Sequence, residues 1–358
     1  MLTRKRFLKV LGAGTLALAG GSTLAGCGDG GGDAKNWAWM GGGAPEDATW
    51  AERFAQIKAA GVDGLLLQQE DTSVLREVAS IARDEGLELH VWHITMRSDE
   101  HLQTHPDWYA VNRKGVSTAE NPPYVDYYHF MSPCVPGVRD QLANDVGTLA
   151  QMEGVAGIHL DYIRFPDVIL PIALQPKYDL EQDEEFPRFD YGYHEACRTQ
   201  FAEQTGTDPM DLDDTPANDQ WVQFRYDQIT QVVTRLAEVV HGHDKMISAA
   251  VFPTPDIARR LVRQDWPEWT LDAVMPMIYH NFYEKDVSWI ETATREGLDA
   301  LAPDTPLYSG LFVPELTPDQ LVSAVEYARA GGASGISLFD VGSMTDAHWS
   351  KVGPALAA

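Results

Sequence analysis

The chain has 358 residues, 44% of them hydrophobic and 22% charged, a composition that supports a sizeable buried core. Its formal net charge of −26 excludes a nucleic-acid partner, because a polyanion would be repelled. Only 9 of the 27 basic residues are lysines, and a solvated acidic surface poor in lysine suits salty surroundings, where screening weakens its self-repulsion.

Residues 1–27 read as an export signal and stand apart from the fold. Arg4, Lys5, Arg6 and Lys9 form a positive start, and residues 7–19 are mostly apolar but too few to span a bilayer. Leu24-Ala25-Gly26-Cys27 resembles the bacterial lipoprotein cleavage box, which implies lipidation of Cys27 as the first residue of the mature chain. "TRKRFLK" resembles a twin-arginine export signal with lysine in place of one arginine. Residues 28–35 are a glycine-rich flexible tether. The expected location is therefore extracytoplasmic, with the membrane met only through the lipid. Beyond Cys27 only Cys134 and Cys197 remain. Outside the cytoplasm a disulfide between them is allowed, although the sequence does not bring them together. They show no zinc-site spacing, and nothing in the chain asks for a metal or cofactor.

From residue 36 to 358 one unit repeats: a short apolar, β-branched or aromatic run, then a helical stretch. The runs are residues 36–40, 61–68, 87–94, 154–165, 245–252, 271–279, 306–313 and 335–342. Between them, "TWAERFAQIKAAG" predicts a helix capped by Thr49 and stopped at Gly61. "TSVLREVASIARDEG" predicts one capped by Thr72 or Ser73 and finished by Gly86. "TPDQLVSAVEYARAGG" puts Pro318 in a first turn and Gly331-Gly332 after the last. Eight such alternations predict a single (β/α)₈ TIM barrel. A doubly wound open sheet is the alternative, but "MGGGAPED" lacks the spacing of a phosphate-binding loop.

Two connections are long: about sixty residues after the third strand and about eighty after the fourth. Strand-to-helix loops build the C-terminal face of a barrel, where active sites form. Both insertions are rich in aromatic and acidic residues, as in "HPDWYAVNRKG" and "YDLEQDEEFPRFDYGYH", and read as walls of a substrate cleft.

The fourth strand, "GIHLDYIRFP", turns polar at its end. Alternation sends Ile158 and Leu160 toward the helices, and His159 and Asp161 toward the barrel interior with Asp161 nearer the mouth. A carboxylate there is costly unless it is bonded or functional, and Arg164, three residues on, would help keep it ionised. Other strand ends add Trp39, Glu70, Trp92, His93, Tyr279, His280 and Asp340. Carboxylates, histidines and tryptophans in one groove suit a carbohydrate, and glycoside hydrolysis needs two carboxylates, one of them a proton donor. Asp161 is the expected nucleophile or base. Glu70 and Asp340 are candidate partners, with Glu184, Glu185 and Asp190 of the acidic insertion behind them. Trp39, Trp92, His93, His159, Arg164, Tyr279 and His280 are candidate sugar contacts.

"GIHLDYIRFP", "WVQFRYDQI", "QDWPEW" and "DAVMPMIYHNFY" together resemble the family-ten glycosyl-hydrolase-like proteins, exported bacterial barrels classed with glycoside hydrolases. The resemblance runs from about residue 36 to the C-terminus. It implies a polysaccharide-active enzyme with Asp161 at its active site and names no second carboxylate. A noncatalytic glycan-binding lipoprotein on the same scaffold, and a metal-dependent lyase or isomerase, are the competing readings.

Overall fold

The computed structural model describes residues 34–45, 48–213, 215 and 217–358. The expected export signal, Cys27 and most of the expected tether lie outside the described residues. Eight parallel strands form the sheet: β1 (Trp37–Gly41), β2 (Gly64–Gln68), β3 (Glu88–Ile94), β4 (Gly157–Asp161), β5 (Met246–Val251), β6 (Ala273–Pro276), β7 (Tyr308–Phe312) and β8 (Gly335–Phe339). Their order is β6-β5-β4-β3-β2-β1-β8-β7, and parallel bridges Val274–Leu307 and Met277–Gly310 join β6 to β7. The chain is a (β/α)₈ barrel, as the eight alternations predict.

Around it run α1 (Trp50–Ala59), α2 (Thr72–Asp84), α3 (Pro136–Ala150), α4 (Glu195–Thr205), α5 (Asp219–His241), α6 (Pro255–Val262), α7 (Trp289–Ala300), α8 (Pro318–Ala330) and α9 (Asp346–Ala357). Local chemistry sets their ends. Thr49 and Thr317 each accept a backbone N–H three residues on, while Glu52 and Gln320 reach back to close capping boxes. The α2 cap is Asp71, one residue before the pair expected from sequence; its carboxylate accepts the N–H groups of Ser73 and Val74. An ionised oxygen satisfies two orphan donors at once and outcompetes a hydroxyl there.

Inward side chains pack the barrel by pairing large residues with glycines. A Cβ on Gly64 would meet the Trp37 ring at 2.3 Å, and one on Gly157 would meet His90 at 2.6 Å. Trp37, Trp39, Leu66, Ala250, Met275 and Tyr308 fill the same interior. Outward residues such as Leu65, Leu67, Ile158 and Leu160 are fully buried against the helices.

The two insertions fasten to each other above β3 and β4. Asn112 bridges Tyr191, the Arg113 N–H donates to the Asp190 carbonyl at 2.9 Å, and Tyr124 stacks on Phe189 at 4.4 Å. Cys134 and Cys197 form a disulfide with Cα atoms 5.1 Å apart, tying the start of α3 to α4. The pairing that sequence left open is therefore made.

Candidate active site

Register in the strands decides which polar residues share the mouth. Trp92 lies beside His159 and Ile94 beside Asp161, so these four share the inward face. Asp161 ends β4 and is 9% exposed. Tyr162 follows in the left-handed region at φ 54°, and its N–H donates to Asp161 Oδ1 at 2.6 Å. Trp92 Nε1 donates to Oδ2 at 3.0 Å. Thr95 holds the backbone of the same residue, donating from its N–H and its hydroxyl to the Asp161 carbonyl at 2.9 and 2.7 Å. Burial pushes the Asp161 carboxyl above its ordinary range, opposed by the Tyr162 and Trp92 donors and by the charges of Arg164 and Arg97.

Asp340 follows the last residue of β8, where strand alternation no longer applies. β8 and β4 are separated by three strands on either side, so Asp340 stands across the ring from Asp161. Burial raises this carboxyl too, and only the N–H groups of Gly342 and Ser343 pull it down. Tyr279, past the end of β6, lies within electrostatic reach of both. Its hydroxyl is raised well above its ordinary range, by burial first and then by the charges of Asp161 and Asp340. It stays a phenol at any working pH.

Aromatic rings form the floor between these carboxylates. Phe339 packs against Trp92 at 5.9 Å, Tyr279 at 5.8 Å and Phe312 at 5.9 Å, and is itself partly exposed. Such a surface accepts the apolar face of a sugar ring. Phe339 was missed in the sequence, although period-two counting from Ser337 in β8 would have turned it inward.

Several expected contacts sit elsewhere. His159 is fully buried below the floor: Nε2 accepts from Trp39 Nε1 at 3.0 Å and Nδ1 meets Ser248 Oγ at 2.9 Å. Burial, with the neighbouring His90, drives its pKa well down, so the ring is neutral. With Nε2 accepting, the proton is on Nδ1 and donates to Ser248. Trp39, 1% exposed, belongs to this lower layer as well. Neither residue reaches a ligand at the mouth.

His93 and Glu70 are also displaced. His93 pairs in register with Leu160, whose side faces the helices, and its Nδ1 bonds Glu70 Oε1 at 2.9 Å. Asp145 of α3 feels the charge of both. The odd position of His93 on β3 thus carries it and Glu70 to the outer flank, away from Asp161. Burial acts to raise the Glu70 carboxyl, but His93 outweighs it and leaves the group lowered, a poor setting for a proton donor.

Arg164 is buried and forms its ion pair with Asp167 at 2.9 Å, not with Asp161. It favours the Asp161 anion through space only. His280 stays half-buried at the rim; burial lowers its pKa, against Asp286 and Glu315. In the acidic insertion Asp190 is fully buried between Arg225 and the Tyr193 hydroxyl, and Glu185 is bound to Arg263. Both hold the wall together and cannot serve the mouth. Glu184 is exposed. Among the described residues, no group of three or more His, Cys, Asp or Glu side chains could hold a metal ion.

The fold has relatives of known structure. The glycoside hydrolase domain of PgaB (BpsB) from Bordetella bronchiseptica aligns over 90% of this chain and 98% of its own, with a TM-score of 0.68 and 12% identity. Two β-galactosidases follow at a TM-score of 0.63. One is from the psychrophilic Marinomonas ef1, at 11% identity over 90% of this chain and 59% of its own. The other is from the Antarctic haloarchaeon Halorubrum lacusprofundi, at 12% identity over 90% and 57%. These neighbours are glycoside hydrolases built on the TIM barrel, and at such identities the likeness is one of fold. No protein-family model matches the chain, and no curated protein does.

Proposed function

We propose that the protein is a glycoside hydrolase acting on an oligo- or polysaccharide, with Asp161 as base or nucleophile and Asp340 as proton donor. The observation that carries this is the setting of Asp161. Its buried carboxylate accepts two N–H bonds at the barrel mouth and keeps acceptor capacity for a substrate or water. The surroundings divide the labour between the two acids. Four groups favour the Asp161 anion, whereas Asp340 has two backbone donors and no cation. A sugar ring on the Phe339 floor would present its anomeric carbon to Asp161, or to a water that Asp161 deprotonates. Asp340 would protonate the departing glycosidic oxygen.

The glycoside hydrolase neighbours support this chemistry, and the strand-four motif supports membership among the family-ten glycosyl-hydrolase-like proteins. We further propose an extracytoplasmic location with a lipid anchor on Cys27. The Cys134–Cys197 disulfide favours an oxidising compartment, and no helix among the described residues is long and apolar enough to cross a membrane. The test is release of reducing ends from a broad panel of polysaccharides. Asp161→Asn is expected to lower turnover at least about 10³-fold while the folded protein still binds the glycan. Full activity in that variant would sink the assignment.

A further inference from the structure

Two arginines approach the Tyr162 ring, each with its guanidinium carbon 5.2 Å from the ring centre. Arg164 is held by Asp167 and by the Phe165 carbonyl. Among the described residues Arg97 has neither kind of partner. Its guanidinium lies between the rings of Tyr162 and Tyr127, the latter at 5.6 Å. Its Nε is buried without a hydrogen-bond acceptor. Among the described residues no carboxylate comes within ion-pair distance of it, in a chain with 53 acidic and 27 basic residues. Its neighbours are instead two aromatic rings.

Its position is set by the same stretch that fixes Asp161. Two residues before it Thr95 clamps the Asp161 carbonyl, and Arg97 itself bridges Phe130 of the first insertion. The cation therefore stands at the mouth beside the proposed reaction centre, within electrostatic reach of Asp161. The two ring contacts hold the guanidinium and leave its terminal N–H groups for a planar or tetrahedral oxyanion.

We infer that Arg97 is an anion-binding subsite, and that the glycan recognised here carries an oxyanion, a uronic carboxylate or a sulfate ester, on a sugar next to the scissile bond. This rests on the glycan reading of the mouth but not on cleavage. A neutral glycan would leave the Arg97 donors unpaired once water is excluded, whereas an acidic one fills them and gains a charge-assisted bond.

The test uses the Asp161→Asn protein, so that binding is read without turnover, by calorimetry at fixed moderate salt. The probes are acidic oligosaccharides, uronide and sulfated, each beside its carboxyl-reduced or desulfated counterpart of the same linkage. One acidic form is expected to bind about tenfold or more tighter than its neutral counterpart. Which of the two chemical treatments removes the preference identifies the anion. Adding Arg97→Gln should abolish the preference, bringing the affinity for the acidic form down to that for its neutral counterpart, and Arg97→Lys should keep part of it, each protein first shown to retain its unfolding temperature. Equal binding of acidic and neutral forms, binding of neither, or a preference that survives Arg97→Gln overturns the inference. A preference for an acidic form that the wild-type protein never cleaves would leave the subsite standing and refute the hydrolase reading instead.

Discussion

The inward face of β4 carries two polar residues, and they live in different chemistry. His159, one layer down, spends both ring nitrogens on Trp39 and Ser248 and is sealed from solvent. Asp161, at the mouth, accepts two N–H bonds on a carboxylate that offers about four acceptor sites. A polar group inside a barrel is therefore no sign of function by itself. Function is indicated where the fold orients the group and leaves part of its bonding capacity open.

The sharpest way to break this contrast is at the mouth itself, on the far side from Asp161. Asp340 holds its proton to higher pH than an ordinary carboxyl because burial disfavours its anion. A proton donor works only while protonated, so activity should fall on the alkaline side as Asp340 ionises. Asp340→Asn is expected to cost about 10²–10⁴-fold in kcat/KM on natural linkages and to remove that alkaline limb. Aryl glycosides whose leaving group needs no protonation should recover most of the rate. A pH profile of the variant that keeps the limb, or an equal loss on activated substrates, would assign the proton donation to another residue.

Much of this architecture was legible because it rests on period-two and glycine signals. The eight strand runs, the Thr49 and Thr317 caps and the inward aim of His159 and Asp161 all follow from local rules. Chain direction also places Asp161 nearer the mouth than His159, but it was not legible that one layer is enough to seal His159 between Trp39 and Ser248. Parity errors account for His93, which sits at an odd position of β3 and leaves for the helices with Glu70. Contacts between distant segments were equally hidden. Asp167 rather than Asp161 captures Arg164, and Tyr127 and Tyr162 close on Arg97 only because the first insertion folds over β4. No spacing in the sequence encodes those choices.

The lower layer should respond to mutation in stability rather than in rate. His159→Leu removes the acceptor of Trp39 Nε1 and the donor to Ser248 Oγ, leaving buried polar atoms unpaired. The expected loss is roughly 1–3 kcal/mol per orphaned group, read by chemical denaturation. Because the ring is neutral and sealed, KM should hold and no limb of the pH profile should disappear. A large fall in kcat/KM at unchanged stability would move His159 into the site.

The smallest effect is expected on the outer flank. Glu70 is about half exposed and bonds His93, with Asp145 of α3 nearby, on the face of β3 opposite Trp92. Glu70→Gln keeps an oxygen to meet His93 Nδ1 and removes only a charge, so any stability change should stay within the small range of surface pairs, about 0–1 kcal/mol. Since the carboxylate faces away from Asp161, kcat/KM and the pH profile should match wild type. A loss comparable to that of Asp340→Asn would mean that the loop after β2 swings Glu70 to the mouth when substrate binds, and the separation between flank and mouth would then fail.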